Sequence, residues 1–189
     1  MRVVVLNGIE REHEEFARLP EVIANAISGK AFIEFIDLTT RDIRRCQGCF
    51  GCWVRTPGKC IVHDDSQQIR HAVINADIVV LLTPVVFGGY SGTLKKMIDK
   101  IIPLVLPFFT KYDGEIHHLP RYSKFPSFIG FGYSDTKRPD EFICFRQLVE
   151  RNAVNVHCPH CESLVVLSSE SNEDIQSKFN GVFNRVGGF

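Results

Sequence analysis

"IVVLLTPVVFGGYSGTLKKMIDKI", Ile78 to Ile101, is an aliphatic run, a loop with paired glycines, and a stretch whose Leu94, Met97, Ile98 and Ile101 recur at helical spacing. A strand that is apolar on both faces, Ile78 to Leu82, belongs inside a parallel sheet. The helix expected from about Ser91 to Ile102 is then a crossover toward the next strand. Outward from this unit the pattern repeats. Arg2 to Asn7 is a short Val/Leu strand that stops at Asn7-Gly8, and Ala31 to Leu38 is a second strand. Ser127 to Gly130, just after Pro126, and Ser163 to Leu167 are a fourth and a fifth. Helical stretches intervene at Glu12 to Ser28, with a break or fresh start at Pro20, then at Ser66 to Ala76, at about Asp140 to Asn152, and from about Asn172.

Five buried strands alternating with helices, joined by right-handed crossovers, give an α/β, three-layer, doubly wound fold of the flavodoxin-like kind. The expected strand order is 2-1-3-4-5. The segment 103–124, "PLVLPFFTKYDGEIHHLPRYSK", is long for a connection and reads as an insertion that covers the site or contacts another subunit. The chain of 189 residues has no composition break and reads as one domain, 1–189.

With 22 basic and 22 acidic side chains, the formal net charge is zero, and nothing favours a nucleic acid as partner. Outside the strands the longest apolar stretch, Ile101 to Phe109, is broken by Pro103 and Pro107 and is too short for a membrane span. The opening "MRVVVLN" is too short an apolar run for a secretory signal, so a cytoplasmic location is expected.

In an open parallel sheet, ligands bind beyond the carboxyl ends of the strands. Three loops meet there: Asn7 to Arg11, Thr83 to Gly92 and Gly130 to Thr136. In "TPVVFGGYSG", Gly88 and Gly89 allow backbone N–H groups to approach a flat ring, Phe87 or Tyr90 offers an aromatic surface, and Ser91 can cap the next helix. The same letters also describe an ordinary strand-to-helix turn.

The chain has seven cysteines, four of them in "CQGCFGCWVRTPGKC", Cys46 to Cys60, a loop expected to lie near the crevice. Successive cysteines in C-x2-C-x2-C can face one iron–sulfur cluster, with Cys60 returning as fourth ligand. Zinc, a redox disulfide, and four ordinary thiols packed as small apolar groups are the alternatives at this stage. "HCPHC", His157 to Cys161, reads as a loop with incidental thiols. His117-His118 reads as surface or interface, within reach of a bound ligand, and Asp64-Asp65 as the start of a helix.

The cysteine loop with its "HDD", followed by "TPVVFGGYSGTLKKMIDKIIP", resembles the NAD(P)H-dependent FMN reductase family, including its branch of iron–sulfur flavoproteins. The resemblance implies FMN, reduction by NAD(P)H, a small-molecule electron acceptor such as a quinone or flavin, and a homodimer or homotetramer. It implies that Thr83, Pro84, Val85, Phe87, Gly88 and Gly89 hold the flavin ring, with Asn7 and Gly8 nearby and Gly130, Phe131 and Gly132 at its border. It further implies that Cys46, Cys49, Cys52 and Cys60 hold a four-iron cluster, and that no side chain is itself the catalyst.

One stretch departs from the family. Members usually follow strand one with Ser and Thr that bind the FMN phosphate. Here "NGIEREHEEFARLP" has neither, and carries Glu10, Glu12, Glu14 and Glu15 beside Arg11 and Arg18. Carboxylates make a poor phosphate cradle. Two other readings therefore stand beside the reductase: an iron–sulfur flavoprotein that carries electrons between proteins, and a flavodoxin-fold protein that has lost FMN.

Overall fold

In a computed structural model of the chain, which describes residues 1–10 and 13–188, five parallel strands form one sheet. They are β1 (Arg2–Asn7), β2 (Phe32–Asp37), β3 (Ile78–Pro84), β6 (Ser127–Ser134) and β7 (Cys161–Leu167). Between β3 and β6 the chain forms a separate antiparallel hairpin, β4 (Val105–Tyr112) and β5 (Glu115–Pro120). The sheet order is β2-β1-β3-β6-β7, which becomes 2-1-3-4-5 when the hairpin is left out.

The middle strands are apolar throughout because both of their faces are covered. Val4, Leu6, Val79 and Leu81 point toward α3 (Ser66–Ile74), α4 (Gly92–Ile98) and α5 (Pro139–Asn155). Val3, Val5, Val80 and Leu82 point toward α1 (Leu19–Ala26) and α6 (Asn172–Gly187). α1 is shorter than its apolar pattern suggests, because Pro20 occupies the first turn and starts the helix there. Arg11 and Glu12 lie outside the described residues, as does the side chain of Glu14.

Two differences from the sequence reading have clear causes. β6 does not stop at Gly130 but runs on to Ser134. Its glycines are there for close packing: a Cβ on Gly130 would lie 2.5 Å from Val149 Cγ2, so α5 approaches the sheet only because that Cβ is missing. The insertion is a hairpin with a two-residue turn at Asp113-Gly114, both with positive φ (48° and 82°), the pairing a tight right-twisted hairpin demands.

Gly132 is the more constrained of the two strand glycines. A Cβ there would lie 2.7 Å from Val85 Cγ2, 3.1 Å from Phe145 Cε1 and 3.1 Å from Val165 Cγ2, with no side free to yield. Gly132→Ala is expected to lower the unfolding free energy by about 1–3 kcal/mol in urea denaturation. A loss within error would mean that the β6–α5 contact is looser in solution.

Candidate functional site

At the carboxyl edge, β1 and β3 are tied by Gly8 N–H donating to Leu82 O at 2.8 Å. A side chain at Gly8 would crowd Leu82 O, Ser91 Oγ and Leu94 Cβ, all within 3.3 Å, which explains the glycine. Asn7 Oδ1 accepts from Ile9 N–H at 3.1 Å and starts the first loop. Thr83, fully buried, accepts from Ser91 N–H at 2.9 Å, and Ser91 Oγ accepts from Leu94 N–H at 3.2 Å, capping α4 as its sequence suggests. Val85 N–H donates to Tyr133 O at 2.9 Å and carries the β3–β6 pairing one residue further.

Val86 to Gly89 then close a tight turn, with Gly89 N–H donating to Val86 O at 2.8 Å. Phe87 (φ 48°) and Gly88 (φ 75°) both adopt the left-handed conformation. For a bulky residue this costs about 1–2 kcal/mol, yet Phe87 is 92% exposed and gains no packing in return. The turn is held from beneath, since a Cβ on Gly88 would lie 2.6 Å from Cys144 Cβ on α5. A strained, exposed aromatic at a strand end is the sort of feature that function maintains.

Gly130, Phe131 and Gly132 are placed differently. The two glycines face α5, and the Phe131 ring is buried against Phe179 at 5.6 Å between centroids. The part of β6 at the carboxyl edge of the sheet is Tyr133 and Ser134. Tyr133 is buried beside Phe16 (4.1 Å) and His13 (5.7 Å), and its hydroxyl has no hydrogen-bond partner of sound geometry among the described residues. Burial, then the carboxylates of Glu10 and Glu15, raises its pKa and keeps it a donor.

Two cavities flank the first loop. One of about 390 Å³ includes Asn7, Glu10, His13, Asp37 and Thr39, and one of about 270 Å³ includes Glu10, Thr39, Arg41, Thr93 and Lys96. Glu10 borders both, and its carboxylate accepts from Thr93 Oγ1 at 2.8 Å. The crevice thus offers FMN an exposed aromatic turn, while the Tyr133 hydroxyl stays buried and borders neither cavity. Donors to a phosphate are Thr39, Thr93, Arg41 and Lys96, on residues the sequence reading passed over. The first loop supplies a carboxylate instead. The fit is good except at Glu10 and Asp37, whose carboxylates already accept from the Thr93 and Thr39 hydroxyls.

The cysteine loop lies elsewhere. Rather than sitting beside the crevice, it packs where α4 ends: Cys46, Cys49, Cys52 and Cys60 line one small cavity of about 30 Å³ together with Lys100 and Ile102, sharing no residue with the cavities of the first loop. Trp53 anchors the loop to the hairpin by donating to Val105 O at 2.9 Å. The loop is compact because Phe50 adopts φ 54° ahead of α2 (Gly51–Val54) and Gly58 N–H donates back to Cys52 O at 3.0 Å. Burial, then Cys60, Cys46 and Cys49, raises the Cys52 thiol, a sign of how closely the sulfurs crowd.

Behind this loop is an uneven set of buried charges. Asp64 is paired with Lys100, and both side chains are almost wholly excluded from water. Arg70, 3% exposed, donates to Ser66 Oγ (2.9 Å) and Lys100 O (3.2 Å), but its Nη2 is buried without a partner among the described residues. Burial pushes the guanidinium's pKa down, while Cys60, Asp64 and Cys52 pull it back. Two cations and one carboxylate leave a positive charge facing the cysteines, and thiolates would balance it. Among the described residues, no three His, Cys, Asp or Glu side chains lie close enough to hold one metal ion. A cluster, whose ligands sit farther apart than those of a single zinc, fits this donor set better. Asp64 is therefore more than a helix start. Burial opposes its ionisation, but bonds from Lys100, Ser66 and the Arg44 N–H outweigh that and hold its pKa at about 2.

"HCPHC" closes the turn into β7. Cys158 and Cys161 have pKa values raised by burial, Cys161 to about 12, which keeps both as neutral thiols. His157 pairs with His118 O at 2.7 Å. Among the described residues, no helix is long and apolar enough to cross a membrane.

Residues 1–116 match the family model described as NADPH-dependent FMN reductase. An iron–sulfur flavoprotein of Methanocaldococcus jannaschii is 34% identical over 109 residues, 57% of this chain and 55% of that protein. An iron–sulfur flavoprotein of Archaeoglobus fulgidus is 31% identical over 101 residues, covering 53% of this chain and 48% of that one. The chain spans about half the length of the curated relatives it matches. The NAD(P)H:quinone oxidoreductase from Methanothermobacter marburgensis has the same fold, with a TM-score of 0.66 at 13% identity over 98% of this chain and 93% of that one.

Proposed function

Because the chain belongs to the NADPH-dependent FMN reductase family, we propose that it is an FMN-dependent oxidoreductase that takes electrons from NAD(P)H and passes them to a small acceptor such as a quinone or flavin. The observation that carries this reading is the strained, exposed turn at Phe87, which stands at the carboxyl end of β3 where such a sheet binds its ligands. Bound FMN supplies the hydride chemistry, and the protein supplies position and field. Thr83 to Gly89 would hold the ring, with Asn7 and Gly8 beneath it and Gly130 to Gly132 giving only backbone and packing. Thr39, Thr93, Arg41 and Lys96 would take the phosphate in place of the missing first-loop hydroxyls.

The four-cysteine cavity, with the surplus cation behind it, favours a second element of the same reading: Cys46, Cys49, Cys52 and Cys60 hold a four-iron cluster. The names of the curated relatives are in keeping with it. Exposed Phe108 on the hairpin supports a homodimer or homotetramer, and free thiols suit a reducing compartment such as the cytoplasm.

The deciding experiment is the visible spectrum of protein purified without oxygen, before and after NADPH. A flavin spectrum that bleaches is expected, superposed on a broad brown absorbance. Protein that is colourless and takes up no FMN would overturn the reductase reading. Glu10 provides a finer check. Glu10→Gln removes a like charge worth about 1 kcal/mol near a phosphate, so FMN should bind about fivefold more tightly while riboflavin, without the phosphate, is unaffected. An unchanged FMN affinity would place the phosphate elsewhere.

A further inference from the structure

A more spacious cavity than those of the first loop lies outside the crevice. It lies between the cysteine loop, the hairpin and the carboxyl ends of α4 and α5, and encloses about 640 Å³. That volume suits a small organic molecule, which typically needs about 300–1,000 Å³. Four rings form a continuous wall. Phe50 stacks on Trp53 at 5.3 Å and 17°, Trp53 meets His118 at 4.8 Å, and His118 stacks on Phe109 at 4.6 Å and 29°. Aliphatic side chains of Ile98, Ile101 and Ile102 form much of the remainder.

Several features indicate a ligand surface rather than leftover space. Phe109 and Ile116, at the mouth, are 66% and 68% exposed, an apolar area that water disfavours. The wall is nevertheless fixed: the Trp53 ring is tied to Val105 O, and His117 is held between Asn155 Oδ1 (3.1 Å) and Glu115 Oε2 (3.0 Å). Neither ring nitrogen of His118 has a hydrogen bond among the described residues, and its Nδ1 is buried, so stacking alone holds that imidazole.

Charge narrows the class of ligand. No Lys or Arg lines the cavity, and its one carboxylate, Asp99, is paired with Lys95. Nothing there would hold the phosphates of a nucleotide or a flavin mononucleotide. What remains is flat, uncharged and modestly polar, with oxygens for the few polar groups at the rim. We propose that this cavity is a binding site for a planar quinone, separate from the crevice and bordered by Cys46. The proposal rests on the reductase reading only in taking a quinone, rather than another flat uncharged ring, as the ligand. Binding itself requires neither flavin nor nicotinamide.

Trp53 is the single tryptophan of the chain and part of the wall, so its fluorescence reports occupancy. The probe is duroquinone, whose ring carbons are all substituted, so that thiols add to it poorly. Titration into the full chain should give saturable one-to-one quenching, matched by isothermal calorimetry. Phe109→Ala, an exposed position whose loss leaves the core intact, should weaken it about five- to tenfold, whereas Phe87→Ala in the crevice should leave it unchanged. Quenching that never saturates, that is indifferent to Phe109→Ala, or that is lost with Phe87→Ala would overturn the proposal. A protein that binds duroquinone here yet neither takes up FMN nor bleaches with NADPH would sink the reductase reading and leave this site standing.

Discussion

Lys100→Met is expected to lower the unfolding free energy by about 3–5 kcal/mol at neutral pH. Lys100 is 2% exposed and its ammonium pairs with an equally buried Asp64. Methionine replaces the stem but not the charge, leaving Asp64 ionised with only Ser66 and the Arg44 N–H to solvate it. Arg70 cannot stand in, because its bonds go to Ser66 and the Lys100 carbonyl. The loss depends on pH. In the wild type Asp64 is held at about 2, so the pair's contribution is complete above the ordinary value of 3.8 and is lost as pH falls toward 2. In the variant, burial acts unopposed by Lys100 and favours the neutral acid. The gap between the two proteins should therefore be widest near pH 7 and narrow below pH 4. Urea titrations at several pH values test this, and a neutral-pH loss under about 1 kcal/mol would mean the pair is hydrated in solution.

The second large effect concerns iron. With a four-iron cluster on the loop, anaerobically prepared protein should carry about four iron atoms and four sulfides per chain. Cys60→Ser should reduce both to well under one, because Cys60 closes the ligand set from the far side of the Pro57-Gly58 turn. Flavin uptake should persist, since the cysteine cavity and the crevice have no lining residue in common. Iron-free wild type would return the four thiols to a structural role. Flavin lost together with iron would show that the two regions depend on each other.

Much of the fold was legible because the middle strands are buried on both faces, and burial leaves continuous aliphatic runs such as Val3 to Leu6 and Ile78 to Leu82. β6 was cut short in the sequence reading because Gly130 resembles a strand end, and its purpose appears only once Val149 is seen above it. The hairpin could have been found. Asp113-Gly114 between "FFTKY" and "EIHHL" is a strong two-residue turn signal, obscured by the prolines around it. The candidate site was less accessible. Nothing local distinguishes Lys100 from any solvated lysine at a helix end, or reveals that Glu10 reaches Thr93. Those facts depend on contacts 36 and 83 residues apart in the chain. The four cysteines were visible as a group, but their position was not, because Trp53 draws the loop toward the hairpin and away from the strand ends.

α4 joins the two regions. Thr93, in its first turn, bonds Glu10 at the crevice, and Lys100, just past its end, bonds Asp64 behind the cysteines. About two helical turns separate them, roughly 10 Å along a rod too short to bend appreciably. The helix therefore spans the distance between the first-loop crevice and the sulfur loop. One seven-residue helix thus carries both the Thr93 hydroxyl that meets Glu10 and, just past its end, the lysine on which the sulfur loop is seated.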